Sequence, residues 1–182
     1  MKFTELDING VWLIGAEAHT DARGVFRRHF CAREFTDRSI AATVAQGNIS
    51  ENPHRGTLRG FHFQAPPFAE AKTISCLSGA LYGIVVDLRQ HAETFTKWVP
   101  VELSAENRCA VHVPAGCAVA WLTTADHTIV HYYMSEFYAP DSYRGIRYND
   151  PAFGFHWPGP PLVISERDRT FPDFDPKSLL AT

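Results

Sequence analysis

A histidine between two phenylalanines is the residue whose type and setting most favour proton-transfer chemistry in this chain. His62 lies in the run Gly60-Phe61-His62-Phe63-Gln64, three positions after Arg59. An imidazole exchanges protons near neutral pH, and apolar neighbours hold water away from it. His62 is therefore a candidate general base, although a strand histidine with a satisfied hydrogen bond fits the same pattern equally well.

A general base needs charged and acidic partners, and the chain offers several. Arg59 and Lys72 are candidate cations beside the histidine, and Tyr132 or Tyr133 could supply a phenol as the acid. Asp168 could hold one tautomer of the ring. Residue type alone favours a structural role for each of them. The residues by themselves therefore single out only His62 as a candidate for catalysis.

Metal and thiol chemistry are less favoured by the residue types. Metal-binding β-barrels typically present two histidines one residue apart on a strand, but here the second position is Gln64. A carboxamide is a poor ligand for a transition metal, so we predict no metal site. Free cysteine is usually a core residue, and the cysteines form no closely spaced pair, which predicts core packing in a reducing, cytoplasmic compartment. They are Cys31, Cys76, Cys109 and Cys117.

The elements that would position these residues are mostly strands. Short apolar or alternating runs separated by turn residues predict an all-β sandwich or barrel, with one short helix between residues 32 and 42. The predicted strands cover residues 11–14, 25–30, 73–77, 81–88, 98–103, 109–113, 118–123 and 128–134. Strict alternation would put Arg59 and His62 on opposite faces, so a bulge at Gly60 is needed if both are to reach one pocket.

The overall composition limits the classes of function. A chain of 182 residues with 45% hydrophobic and 20% charged residues is sufficient for one globular domain, here residues 1–182. The net charge of −3 argues against a nucleic-acid surface, and no apolar run reaches membrane length.

The proline-rich, aromatic stretch from Tyr138 onward predicts a tail that packs over the barrel. No glycine-rich phosphate loop precedes a helix, so a nucleotide would have to be held by cations and aromatic rings.

Several motifs resemble the dTDP-4-dehydrorhamnose 3,5-epimerase family, and they follow one another in the family's order from about Arg23 to Asp168. The matching pieces include Asp21-Ala22-Arg23-Gly24, Gln46-Gly47-Asn48, Gly56-Thr57-Leu58-Arg59-Gly60-Phe61-His62-Phe63-Gln64, Ala71-Lys72, Leu103-Ser104-Ala105-Glu106-Asn107, Val113-Pro114-Ala115-Gly116 and Ser165-Glu166-Arg167-Asp168. The resemblance implies a cupin-type jelly roll with one or two short helices, and a homodimer.

The resemblance also implies a reaction that needs neither cofactor nor metal. A base removes the proton next to the 4-keto group of a nucleoside-diphosphate 4-keto-6-deoxyhexose, and reprotonation from the other face inverts that carbon. His62 would be the base, held by Asp168, and Tyr132 the acid. Lys72 would stabilise the charge that develops on the carbonyl oxygen. Further residues match the family's contacts to the sugar, the diphosphate and the thymine: Arg23, Gln46, Asn48, Arg59, Tyr138 and Arg167.

The chain departs from the family at positions that face the sugar. Val119 replaces a histidine and Tyr143 a glutamate that are common there, Gly83 and Arg28 replace acidic residues, and Trp121 adds bulk. Val119 and Tyr143 are therefore predicted to contact the substrate. The catalytic groups match while the positioning groups differ, which favours a changed sugar or inversion at only one of carbons 3 and 5.

Three alternatives stay open from the sequence. A 3,4-ketoisomerase would use a similar enediol, but it needs a proton donor on only one face. A sugar-nucleotide-binding barrel without activity would share the cavity, and a metal-dependent cupin oxygenase is disfavoured by Gln64.

Overall fold

Residues 1–179 are described by the computed structural model, and two packed β-sheets form their framework. The first sheet has the strand order β1-β2-β10-β7-β12-β5, and the second has the order β13-β6-β11-β8-β9 with β14 alongside β6. The strands are β1 Lys2–Glu5, β2 Trp12–Gly15, β3 Ala18–Asp21, β4 Gly24–Arg27, β5 Gln46–Asn52, β6 Thr57–Gln64, β7 Lys72–Ser78, β8 Ala80–Asp87, β9 Trp98–Ser104, β10 Cys109–Val113, β11 Cys117–Thr123, β12 Thr128–Met134, β13 Tyr143–Gly145 and β14 Val163–Ile164. The α-helices are α1 Ala32–Thr36 and α2 Glu166–Arg169, and short 3₁₀ helices lie at Pro140–Ser142 and Pro176–Leu179. The predicted all-β sandwich with short helices is confirmed.

Strand β11 shows how the two faces of the second sheet are both buried. Its alternate side chains Val119 and Trp121 pack between the sheets, while Ala118 and Ala120 face the other way. On that other face lie aromatic residues of the C-terminal segment, including Phe153. The segment after Tyr138 therefore packs over the sheet, as predicted, and every residue of β11 is buried.

The predicted irregularity at Gly60 is present. His62 pairs with Val119 and Arg59 pairs with Trp121, so three steps along β6 match two along β11, which is a β-bulge. Gly60 has a φ of +107°, and a Cβ at this position would lie 2.6 Å from the carbonyl oxygen of Val119. Only glycine fits there, and the bulge brings Arg59 and His62 to the same cavity.

Hydrophobic periodicity did not predict the polar strands β3 and β5 or the short strands β13 and β14. β5 alternates between half-buried polar and exposed residues, and β3 is exposed throughout, so neither has the apolar pattern of a core strand. The strand predicted over residues 25–30 is wrong in its extent: β4 ends at Arg27 and pairs with β3 in a separate hairpin. β1 was also missed, and α1 lies within the interval predicted for a helix.

Among residues 1–179, no helix has the length and apolar character needed to cross a membrane.

Candidate active site

A cavity of about 310 Å³ lies between the two sheets, and it is lined by strands of both sheets and by α2. Most of the residues that the sequence singled out surround it, although they are distant in the chain. The lining residues are Ser50, Arg59, His62, Gln64, Glu70, Lys72, Val119, Trp121, Tyr132, Met134, Tyr138, Tyr143 and Arg167.

His62 is hydrogen-bonded to a buried carboxylate. Its Nε2 lies 2.7 Å from Oδ1 of Asp168, whose Oδ2 accepts a hydrogen bond from the backbone N–H of Gly60 at 3.2 Å. The hydroxyl of Ser165 caps α2 by accepting from the backbone N–H of Asp168 at 3.1 Å, which fixes the start of the helix. The carboxylate holds a proton on Nε2, and Nδ1 is then the basic nitrogen of the neutral ring.

The carboxyl of Asp168 is ionised despite its burial. It is 4% exposed, and burial by itself would raise its pKa. The hydrogen bond and charge of His62, together with the hydrogen bonds from Gly60 and at Ser165, outweigh burial and hold the pKa of Asp168 below its usual value. The anion is therefore available to stabilise an imidazolium when the ring takes a proton.

Tyr132 lines the cavity from the opposite sheet. It belongs to β12 of the first sheet, whereas His62 belongs to β6 of the second, so a ligand between the sheets meets one group on each side. Burial raises the pKa of the Tyr132 phenol, the charge of Arg59 opposes this shift, and Glu70 adds to it. A phenol is already protonated at neutral pH at its ordinary pKa, and the upward shift leaves it so, as an acid must be before it donates.

Lys72 lies in the cavity as one half of an ion pair. Its Nζ is 2.5 Å from Oε1 of Glu70 and donates to the carbonyl oxygen of His62 at 3.0 Å. Glu70 is 4% exposed, and its Oε2 accepts from the backbone N–H of Gln64 at 2.8 Å. The sequence analysis missed Glu70, and its spacing of two residues from Lys72 was the signal that could have found it, because such residues share one side of an extended chain.

Gln64, at the position where metal-binding barrels carry a second histidine, forms hydrogen bonds with the loops beside the cavity. Its Nε2 donates to the carbonyl oxygens of Phe68 and Phe137 at 2.8 and 3.1 Å, and its Oε1 accepts from the backbone N–H of Ala139 at 2.7 Å. The carboxamide is thus occupied by three backbone contacts. Within residues 1–179 no cluster of three or more histidine, cysteine, aspartate or glutamate side chains is arranged to hold a metal ion.

An aromatic and cationic wall stands beside His62. The ring of Tyr143 lies 5.2 Å from the ring of His62 and 5.7 Å from that of Tyr138, and the guanidinium of Arg167 lies 4.0 Å from the Tyr143 centroid. Burial strongly raises the pKa of Tyr143, although Arg167 opposes this. Such a wall offers ring faces and a positive charge to one ligand. Val119, opposite His62 in the ladder, is apolar and 4% exposed.

Gln46 and Asn48 lie on β5 next to the cavity but do not line it. Oε1 of Gln46 accepts from the backbone N–H of Tyr138, and Asn48 is directly opposite Tyr132 in the ladder. Nδ2 of Asn48 and Nε1 of Trp121 are the two buried side-chain nitrogens of the described residues that have no hydrogen-bond partner. Both residues neighbour Tyr132, Asn48 in the ladder and Trp121 through a ring contact.

Arg23 is the predicted site residue that lies apart from the cavity. It occupies the turn of the β3–β4 hairpin, its side chain is 90% exposed, and its guanidinium pairs with Asp21 at 2.5 Å. Within its own chain it therefore contacts no residue of the site.

The four cysteines are free thiols, of which Cys76 and Cys117 are buried and the other two, Cys31 and Cys109, are partly buried. Burial raises the pKa of Cys117 to about 12, so this thiol is not a nucleophile at neutral pH.

The sequence and the fold match one known family. Residues 5–176 match the family model described as dTDP-4-dehydrorhamnose 3,5-epimerase. A dTDP-4-dehydrorhamnose 3,5-epimerase of Sinorhizobium fredii is 38% identical over 173 residues, which are 94% of this chain and 89% of that protein.

Two solved structures share the whole fold. The dTDP-4-dehydrorhamnose 3,5-epimerase of Bacillus anthracis, solved with TDP and PPi bound, is 33% identical with a TM-score of 0.92 and covers 95% of this chain and 99% of its own. A 3′-monoepimerase of Streptomyces bikiniensis, in complex with dTDP-quinovose, is 34% identical with a TM-score of 0.85 over 92% of this chain and 85% of its own. The cupin-type fold expected from the motifs is thereby confirmed, and the chain belongs to the dTDP-4-dehydrorhamnose 3,5-epimerase family.

Proposed function

We propose that this chain epimerises a nucleoside-diphosphate 4-keto-6-deoxyhexose, with dTDP as the nucleotide. The observation that carries the proposal is the pair of proton-transfer groups on opposite walls of one cavity: His62 held by Asp168, and Tyr132. Inversion of a carbon requires removal of a proton from one face and delivery to the other, and this arrangement supplies a group for each.

The base step follows from the geometry of the histidine. His62 takes the proton from a carbon next to the ketone, and the electron pair of the broken C–H bond moves into the carbonyl to form an enolate. Asp168 stabilises the resulting imidazolium, because its pKa is held low and it is ionised when the ring is charged. Lys72 faces the same cavity and would stabilise the negative oxygen, while its ion pair with Glu70 keeps it in place.

The acid step returns a proton to the same carbon from the other face. Tyr132 donates its phenolic proton to the enolate carbon, which restores the ketone with inverted configuration. The phenolate then takes a proton from solvent and the imidazolium loses one, so the two groups return to their starting states. No electrons are gained or lost overall.

The nucleotide would be held by cations and aromatic rings. Arg59 and Arg167 offer charge and paired donors to the phosphates, and Tyr138, which is 48% exposed, offers a ring face to the base. The relatives whose structures contain TDP or dTDP-quinovose support this choice of ligand.

We further propose that the protein is a homodimer in which the β3–β4 hairpin reaches the partner. The hairpin presents exposed apolar residues, with Phe26 at 74% and Val25 at 46% exposure, together with Arg23. Contact with a second copy would bury these residues and could place Arg23 at the partner's cavity. A cytoplasmic location and a single domain over residues 1–182 stay predictions of the sequence.

Incubation with dTDP-4-keto-6-deoxyglucose in D₂O tests the function. We expect deuterium in the inverted sugar, and the labelled position (carbon 3, carbon 5 or both) identifies the centre or centres that are inverted. Because Val119 and Trp121 alter the sugar side of the cavity, we expect one centre to be labelled. A shifted carbonyl would instead indicate a 3,4-ketoisomerase, and binding without exchange would indicate a binding protein.

A further inference from the structure

A buried asparagine contacts the arginine at the cavity. Asn52 is the last residue of β5 and is 1% exposed. Its Oδ1 accepts a hydrogen bond from Nε of Arg59 at 2.8 Å. Asn52 belongs to the first sheet and Arg59 to the second, so this contact joins the two sheets at the edge of the site.

The asparagine is itself held firmly, which fixes the direction of its oxygen. Its Nδ2 donates to the carbonyl oxygens of Ser50 at 3.1 Å and Thr128 at 3.0 Å, and Thr128 is its partner in the β5–β12 ladder. Two backbone contacts leave the carboxamide one orientation. The position of the acceptor for Arg59 is therefore set by the backbones of β5 and β12.

The hydrogen bond to Asn52 uses Nε of Arg59, and this limits how the guanidinium can contact an anion. A guanidinium is planar and can meet two oxygens either along its side, through Nε and one terminal nitrogen, or at its end, through the two terminal nitrogens. Because Nε is bonded to Asn52, the side-on mode is closed. The end-on pair stays available to an anion in the cavity.

We propose that Asn52 is a positioning residue that fixes the guanidinium of Arg59 for an end-on, two-oxygen contact with a phosphate of the nucleotide. The nature of this ligand rests on the proposed function. A flexible arginine would lose side-chain freedom on binding, whereas one already held by Asn52 loses less, so the gain is in ligand affinity.

Asn52→Ala tests this by calorimetric titration with dTDP. We expect binding about threefold to tenfold weaker, the cost of immobilising one long side chain. KM for the sugar nucleotide should rise by a similar factor and kcat should stay unchanged, because Asn52 touches no reacting atom. An unchanged dissociation constant would overturn the proposal.

Two controls separate positioning from loss of structure. Thr128→Val removes hydrogen bonds at the paired position of the same ladder but leaves Asn52 Oδ1 and Arg59 in place, so dTDP affinity should not change even if the melting temperature falls. In an Arg59→Ala background, Asn52→Ala should have no further effect on dTDP affinity. A loss that persists without Arg59 would contradict the proposed route.

Arg59→Lys keeps the test decisive if Asn52→Ala does not fold. Lysine keeps the positive charge but cannot form a planar two-nitrogen contact, so we expect dTDP to bind about tenfold more weakly. Wild-type affinity in this variant would overturn the proposal. Failure of the wild-type protein itself to bind dTDP would count against the proposed function instead, so the two failures are distinguishable.

Discussion

Two strand histidines, one in each of the two packed sheets, differ in what surrounds them. His62 on β6 is in contact with an ionised carboxylate, and its side chain is 25% exposed to the cavity. His112 on β10 is 3% exposed, its Nδ1 lies 2.9 Å from the hydroxyl of Thr73, and its ring packs against Phe35. Burial lowers the pKa of His112 to about 4.

The difference shows what turns a strand histidine into a base. An aromatic ring lies beside each histidine, Tyr143 beside His62 and Phe35 beside His112, so an aromatic neighbour alone does not identify the active one. A buried ring without a counter-charge rejects a proton, as His112 does, whereas a carboxylate stabilises the charged ring. Asp168 therefore distinguishes the two regions more clearly than the phenylalanines that flank His62.

Removal of that carboxylate should have the largest effect. Asp168→Asn leaves a neutral partner, so His62 would resemble His112 and lose its stabilised imidazolium. We expect kcat to fall by about 10²- to 10⁴-fold, the range for loss of general-base function. Steady-state assays measure this, with circular dichroism as the control for folding. Activity near the wild-type level would show that the comparison does not explain the base.

Removal of the acid on the opposite wall should separate exchange from inversion. Tyr132→Phe keeps the ring and its packing against Trp121 but removes the phenolic proton. We expect inversion to fall by about 10²-fold or more, while His62 still exchanges the proton on its own face with solvent. Proton NMR in D₂O with analysis of the product configuration measures both rates. Equal losses of exchange and inversion would contradict a role confined to reprotonation.

The pH dependence of stability should report on the histidine without a carboxylate. The unfolded chain binds a proton at His112 near pH 6.5, whereas the folded chain binds it only near pH 4. Between these values the unfolded state holds more protons, so the free energy of unfolding falls as pH decreases, by about 3 kcal/mol at pH 4 for this group. Urea titrations from pH 7 to pH 4 measure this.

His112→Gln is the matched control for that titration. It removes the ionisable group, so the part of the pH dependence between 6.5 and 4 that is due to His112 should disappear. A pH profile identical to that of the wild type would assign the dependence to other groups.

The smallest expected effect is that of His112→Gln on the catalytic constants. His112 touches Thr73 and Phe35 and does not line the cavity. At pH 7 we expect kcat and KM of His112→Gln within about twofold of the wild type, since substitutions away from a site leave its chemistry intact. A loss comparable to that of Asp168→Asn would remove the distinction between the two regions.

Local sequence predicted the positions of some groups but not their contacts. The alternation argument at Arg59 and His62 led to the bulge at Gly60, because period-two geometry is a local property. The pairing of His62 with Asp168 spans 106 residues, so no spacing rule could supply it. Residue type made Asp168 only one candidate partner, and the family resemblance selected it.

The missed residues share a physical reason. Glu70 and Asn52 are polar residues in a loop and on an edge strand, where charged and amide side chains are ordinarily solvated. Their burial results from long-range packing of the two sheets. Arg23 differs from both, because it lies outside the cavity of its own chain, and the substrate contact that the resemblance implies for it would require a second chain.

Deuterium exchange by His62→Asn compared with the wild type tests the central claim most directly. In D₂O with the 4-keto sugar nucleotide, the wild type should label a carbon next to the ketone, and the variant should do so about 10²- to 10⁴-fold more slowly with dTDP affinity retained. Near-normal labelling by the variant would show that another group removes the proton.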